Sequence, residues 1–179
     1  MSPVREPRDL RLFFALWPDE RVRRELQQAG QTIALCEGAR YVTAANLHLT
    51  LHFIGNVDHG ELPCLKRQAR KVFGRGFELV IEGSGCFSKP KVGWLGCEDI
   101  PPALGHLHQE LGSRLGECGF EPEKRPFRPH VTVLRKYRAS PPKPEFEPIR
   151  WPVGDFSLVE SRSGENGVQY RVLETYPLT

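Results

Sequence analysis

Two short stretches carry residue types that can do chemistry together: His48-Leu49-Thr50-Leu51 and His130-Val131-Thr132-Val133. Each is a histidine followed two positions later by a threonine, inside a β-like run, Asn46 to Gly55 and Pro129 to Leu134. Side chains alternate faces along a strand, so His48 and Thr50 share one face and Leu49 and Leu51 the other. The same parity pairs His130 with Thr132. A free imidazole titrates near pH ~6.5, so of two rings facing one substrate, one can take a proton while the other gives one. The threonine hydroxyls are short uncharged donors for the non-bridging oxygens of a phosphate during its displacement. Acid, base and oxyanion donors are then all side chains, and neither a metal nor another cofactor is required. The chemistry is in-line attack at a phosphodiester. One His-x-Thr-x on a strand is common and usually structural. Two, nearly half a chain apart and in similar strands, point to one site shared by two similar lobes.

Hydrophobic period and chain breakers outline the elements that position these motifs. Leu12 to Trp17, closed by Pro18, reads as a buried central strand. Asp19 suits a helix N-cap, and Val22, Leu26, Ala29 and Ile33 recur at helical spacing, which predicts a helix over 19–36 with Gly38 as its stop. Arg40 to Thr43 leads into the first motif strand, and Gly55 to Gly60 reads as a turn. A second helix over about 60–73 turns Leu62, Leu65, Ala69 and Val72 inward and leaves Lys66, Arg67, Arg70 and Lys71 on a solvated face. Phe77 to Glu82 predicts a strand that Gly83 and Gly85 let bend; after a turn at 88–91, Val92 to Gly96 pairs back as a hairpin.

Pro101-Pro102 opens a third helix with a stripe of Leu104, Leu107, Leu111, Leu115 and Cys118, and Gly119 fits its C-terminal stop. His106 and His108 are two apart on that helix, do not share a face, and read as surface or rim residues. Arg135 is the fifth residue after His130, so strict alternation points it away from the histidine face unless the strand bulges or ends near Leu134, or the long side chain curls back. The proline-rich stretch 138–152 reads as an ordered surface loop. Phe156–Ser161 and Val168–Leu173 read as two closing strands around a hairpin turn, completing a sheet edge.

Whole-chain quantities set the frame. A length of 179 residues suits one domain, 1–179, of two interdependent lobes. There is no apolar run of about 18 residues, which argues against a transmembrane helix. Residues 1–9 read as a loose leader without the apolar core of a signal peptide. Five cysteines, an odd number with no Cys-x-x-Cys, argue against a disulfide framework or a zinc ribbon and for buried free thiols in a reducing cytoplasm. A net charge of +3 is compatible with a phosphate-bearing ligand and falls short of the basic stripe of a duplex binder.

The double motif resembles the two-histidine (2H) phosphoesterase superfamily, most closely its bacterial and archaeal RNA 2',3'-cyclic phosphodiesterases, also called 2'-5' RNA ligases. Arg11–Pro18, Asn46–Gly55, Val92–Gly96, Pro126–Arg135 and Phe156–Ser161 with Tyr170 are similar to that family's segments in the same order, so the likeness covers roughly 11–178. Leu134 departs mildly, in a slot often taken by a small residue. The resemblance implies an α+β fold of two pseudo-symmetric lobes, each an antiparallel sheet flanked by helices, with a central active-site cleft. It implies hydrolysis of an RNA 2',3'-cyclic phosphate to a 2'-phosphomonoester, and the reverse 2'-5' joining of ends. In that scheme His130 is the base that activates water, His48 protonates the departing 3' oxygen, and Thr50 and Thr132 hold phosphate oxygens. Arg135 stands where the second motif carries an arginine. The expected partner is RNA ending in a 2',3'-cyclic phosphate or a small cyclic nucleotide, met by a cytoplasmic monomer.

Further residues are candidates for touching such a substrate. Tyr41 and Trp94 are aromatic platforms if they are not simply packing. Lys89 and Lys91 could meet backbone phosphates of a longer RNA. His52 shares the strand parity of His48 and Thr50 and is a candidate wall residue of the same face. Three other readings compete. The same fold could act on another small cyclic phosphate or on 2'-5' oligonucleotides; the chain could be a non-catalytic RNA-end binder; or His48 and His52 could belong to a zinc site. The last lacks the helical His-Glu-x-x-His spacing.

Overall fold

The computed structural model describes residues 9–179. Ten strands and three α-helices follow in the order β1 (Asp9–Leu16), α1 (Glu20–Gln31), β2 (Arg40–Tyr41), β3 (Leu49–Asp58), α2 (Leu62–Ala69), β4 (Phe77–Ile81), β5 (Gly83–Ser88), β6 (Lys91–Gly96), α3 (Pro102–Gly116), β7 (His130–Arg135), β8 (Ile149–Val153), β9 (Asp155–Gly164) and β10 (Gly167–Pro177). The leader expected over 1–9 lies outside the described residues, except for Asp9, which opens β1.

One antiparallel sheet runs β10-β9-β1-β3-β7-β6-β5, with β2 also paired to β7. The α+β class expected from the sequence holds. The two halves are not separate sheets: β3 and β7 join them through one residue pair, Leu49 with Val131. A second ribbon pairs β4 with β8. That ribbon corrects the reading of 138–152 as loop, because Ile149, Trp151 and Val153 are buried and alternate with exposed Arg150 and Pro152. A proline is tolerated there because the ribbon has only two strands and leaves an outer edge without a ladder partner.

One face of the sheet carries the core. Leu10, Leu12, Phe14 and Leu16 of β1 meet Val22, Leu26 and Ala29 of α1 and the leucines of α3 in one buried cluster. Helix α1 is capped as expected, with the Asp19 carboxylate accepting from the Val22 N–H at 2.8 Å. It ends earlier than the spacing predicts, at Gln31, where the Thr32 hydroxyl donates to the Ala29 carbonyl. Helix α2 also contracts to Leu62–Ala69, and β3 extends to Asp58 in place of the expected turn. Lys66 of α2 and Arg70 at its C-terminal end pair with Glu174 of β10 at 3.5 and 2.6 Å, so two of the four basic residues read as a solvated face tie helix to sheet.

The cysteine expectation is also corrected. Cys64 at the start of α2 and Cys118 beyond α3 form a disulfide, while Cys36, Cys86 and Cys97 remain free and half-buried. The sequence reading missed it because a sequence separation of 54 conceals a Cα–Cα distance of 5.9 Å.

The opposite face is largely uncovered by helices and carries the motifs. On it, Trp94 lies flat across the backbone of Gly85, its cross-strand partner. A Cβ added at Gly85 would stand 2.3 Å from the indole. Gly85→Ala is therefore expected to force the ring aside and lower stability by roughly 1–3 kcal/mol, as overpacking does. Denaturant unfolding checks this; an unchanged midpoint would show that the indole moves freely.

Candidate active site

The two motifs are built alike to the level of single hydrogen bonds. The His48 Nδ1–H donates to the Asn46 carbonyl at 2.7 Å, and the His130 Nδ1–H donates to the Arg128 carbonyl at 2.7 Å. Each carbonyl lies two residues before its ring. With Nδ1 committed as donor, each neutral ring presents its lone pair at Nε2, the form a base needs and the atom an acid would protonate. Pairing of Leu49 with Val131 carries His48 towards Thr132 and Thr50 towards His130 on the front face. The histidines are then diagonal neighbours across two strands, on the order of 7–8 Å apart, a gap that one phosphate spans.

Both strands break their alternation one residue past the threonine. In β3, Thr50 faces Ala15 and His52 faces Phe14, leaving Leu51 as an extra residue. In β7, Thr132 faces Trp94 and Leu134 faces Gly93, leaving Val133 extra. A bulge of this kind reverses parity beyond it. Arg135 is thereby returned to the front, where it lines the cleft with Thr50, His130 and Thr132. By the same reversal His52 turns towards α3, buried against His108, and still borders the cavity as the wall residue expected, while Phe53 takes the front position. Arg135 and Phe53 are pseudo-symmetric: each is the fifth residue after its histidine.

Each bulge is supported from behind. The His108 ring donates to the Leu51 backbone carbonyl, and His52 Nε2–H donates to the His108 carbonyl at 2.7 Å. His108 is sandwiched between His52 at 4.1 Å and Phe127 at 3.8 Å, so it is a structural wall of the cleft, a role its helical spacing did not reveal. The Val133 carbonyl accepts from the Val42 N–H at 2.9 Å. Gly112 of α3 sits beneath His52 and Gly30 of α1 beneath Val133, where a Cβ would stand 3.0 Å from each side chain.

The remaining candidates separate. Lys89 lines the cleft and Lys91 does not. Trp94 packs beside His130, 6.1 Å between rings, and is a wall of that imidazole. Tyr41 is engaged behind the sheet, its hydroxyl donating to the Ile33 carbonyl at 2.8 Å. His106 is exposed, as expected.

The two imidazoles have unequal surroundings. His48, unlike His130, is not among the residues lining the cavity; it is stacked on Trp17 at 5.4 Å and packed by Phe13 at 4.9 Å and Tyr170 at 5.0 Å. Burial among these rings pushes its pKa down to about 4; the Asn46 hydrogen bond opposes this, and the charges of Arg135 and His130 add to it. His130, against Phe87 at 5.0 Å, is lowered too, by burial, with the Arg128 hydrogen bond opposing.

An antiparallel α+β fold with two inward-facing His-x-Thr strands defines a class of protein, and comparison with known proteins agrees. Residues 18–165 match the 2'-5' RNA ligase superfamily, and the chain belongs to that family. It is 32% identical over 171 residues to the RNA 2',3'-cyclic phosphodiesterase of Escherichia coli K12, covering 94% of this chain and 97% of that one. It is 31% identical to the enzyme of the same name from Thermotoga maritima, covering 92% and 93%. Its fold matches the crystal structure of E. coli LigT in apo form with a TM-score of 0.86 at 31% identity, over 97% of this chain and 99% of that one. The structure of E. coli LigT complexed with 3'-AMP matches with a TM-score of 0.86 at 32% identity, over 96% and 99%.

A ring held near pKa 4 is neutral in the native state, while the unfolded chain takes up a proton below about pH 6.5. The unfolded state then binds more protons, so stability falls as pH drops through that window and levels off below it. For His48 the loss is at most roughly 3 kcal/mol. His48→Gln is expected to lose less stability than the parent between pH 7 and 4.5 in urea unfolding. Parallel losses would remove His48 from the account.

Proposed function

We propose that this protein hydrolyses the 2',3'-cyclic phosphate at an RNA end to a 2'-phosphomonoester. The observation that carries the reading is the matched pair of Nδ1–carbonyl bonds, which leaves two Nε2 atoms available to one face across adjoining strands. His130 accepts a proton from water through Nε2, and the water oxygen attacks phosphorus in line with O3'. The P–O3' bond breaks as His48 donates its Nε2 proton to O3'. Thr50 and Thr132 donate to the non-bridging oxygens, and Arg135 opposes their charge. With a 5'-hydroxyl in place of water and the steps reversed, the same groups join ends through a 2'-5' linkage.

In the free cleft His48 is neutral at pH 7, because burial and the nearby Arg135 disfavour its imidazolium. A bound phosphate anion acts in the opposite sense, so the proton that His48 delivers is acquired with substrate. The family membership and the relatives' names support this substrate class.

The chain 1–179 is read as one domain of interdependent halves acting as a monomer, because neither half holds both histidines. A cytoplasmic setting accords with three free thiols, and the Cys64–Cys118 bond weighs against it. Among the described residues, no helix is long and apolar enough to cross a membrane.

Product analysis on a short RNA ending in a 2',3'-cyclic phosphate is expected to find the phosphate on the 2' oxygen; a 3'-phosphate would assign the leaving oxygen wrongly. His48→Ala and His130→Ala should each lower kcat by about 10²–10⁴-fold. Because both rings are lowered in the free protein, kcat/KM is expected to be bell-shaped with its maximum below pH ~6.5. The kcat profile should be displaced upward by the bound anion, and a flat kcat/KM profile would contradict two titrating groups. Thr50→Val should lower kcat by roughly 10²-fold with the fold intact; normal turnover would remove Thr50 from the oxyanion role.

A further inference from the structure

The two motif histidines are held by matching carbonyls, but the residues that own those carbonyls are used differently. Asn46 closes a short helical turn, Ala44–Asn46, just before β3, and its N–H donates to the Thr43 carbonyl at 2.9 Å. Its side chain reaches another part of the molecule: Nδ2–H donates to the Val168 carbonyl of β10 at 3.0 Å, across 122 positions of sequence. A carbonyl only accepts, so this partner fixes which end of the amide faces it. Asn46 thus supplies two groups to one line of contacts, its amide on β10 and its carbonyl on the His48 Nδ1–H at 2.7 Å. Arg128, which stands in the same place before His130, lines the cavity instead.

The strand that receives the amide is the edge of the sheet, separated from β3 by β9 and β1. It meets the surroundings of His48 twice. Val168 supplies the carbonyl, and Tyr170, two residues on, sets its ring edge-on to the imidazole at 5.0 Å and 83°. Phe13 and Trp17 pack the same imidazole at 4.9 and 5.4 Å. These ring contacts confine the tilt of His48; the Asn46 carbonyl chooses its tautomer. As an acceptor it requires hydrogen on Nδ1 and leaves Nε2 as the atom that exchanges protons with substrate. That choice is only as firm as the carbonyl itself. The turn that carries the carbonyl has no side-chain cap at Thr43, and the amide on β10 is what ties it to the sheet.

We propose that Asn46 is a positioning residue for the proton donor of the reaction: its amide, anchored on the Val168 carbonyl of β10, fixes the backbone carbonyl that orients His48. It acts on substrate through His48 alone. The role rests on the phosphodiesterase reading above, with His48 as the acid. It makes a specific demand on the kinetics. Loss of the amide should fall on kcat, in the step where His48 gives its proton to O3', and leave KM nearly unchanged, because Thr50, Thr132 and Arg135 still hold the phosphate.

Two substrates separate this role from a merely structural one: adenosine 2',3'-cyclic monophosphate, and its analogue with sulfur in place of O3'. In the analogue water attacks phosphorus as before and the P–S bond breaks. The electron pair leaves on sulfur as a thiolate, which needs no proton from His48. Asn46→Ala and Asn46→Asp are the variants; the second keeps the side-chain volume and replaces the donor with an acceptor. Each is expected to lower kcat roughly tenfold on the oxygen substrate and to retain most of the parent's kcat on the sulfur one. His48→Ala should show the same selective recovery from a larger loss. By nitrogen NMR at pH ~7, His48 should be the Nδ1–H tautomer in the parent and a mixture of tautomers in both variants. Parental kcat on the oxygen substrate, equal losses on the two substrates, or an unchanged tautomer overturns the positioning role alone. A parent protein that turns over neither substrate, or a His48→Ala loss that sulfur does not relieve, overturns the reading of the site and the positioning role with it.

Discussion

The structure depends on one junction: the antiparallel contact of β3 and β7 at Leu49 and Val131. A single pair of residues joins two half-sheets, and it does so beside both histidines. Past this point each strand takes up an extra residue after its threonine, Leu51 opposite β1 and Val133 opposite β6. A bulge leaves its residue without a ladder partner and turns the strand. Both bulged carbonyls are nonetheless satisfied, Leu51 by the His108 ring and Val133 by the Val42 N–H. A glycine in the helix behind each bulge, Gly112 or Gly30, leaves room for the displaced side chain. A helical glycine costs about 1 kcal/mol against alanine, and close approach to the sheet is the reason to keep one here.

The same duplication makes the halves chemically different. At the position reversed by the bulge, one half presents Phe53 and the other Arg135. One therefore offers a flat apolar ring and the other a fixed cation, both aimed at the same cleft. The histidines differ in the same way. Three aromatic rings surround His48, and burial among them favours its neutral form more than that of His130. Two side chains of one type, in matched hydrogen bonds, acquire different proton affinities from what is packed around them.

The 120–129 segment links this electrostatics to the rest of the fold. It leaves α3 just past the disulfide at Cys118, passes Phe127 over the His52–His108 stack, and delivers His130 to its strand. Its backbone holds the His130 ring through the Arg128 carbonyl. The geometry of the second histidine is thus tied to α3, to α2 through the disulfide, and to the first motif strand through His52.

Local pattern carried much of this protein. Alternation along His48–Leu51 and His130–Val133 put imidazole and hydroxyl on one face and aliphatic side chains on the other, as observed. The Asp19 cap, the leucine stripe of α3 and the β9–β10 hairpin were legible for the same reason, because each depends on residues a few positions apart. Arg135 was legible only as a conditional, since alternation pointed it away and a bulge had to restore it. The bulges themselves, the turning of His52 towards α3, the pairing of β8 with β4 and the Cys64–Cys118 bond were decided by tertiary structure. Each is a relation between segments distant in sequence, and an extra residue in a strand has no meaning until the partner strand fixes the register. The sequence by itself determined which side chains could do the chemistry; the packing of the two halves decided which of them face one another.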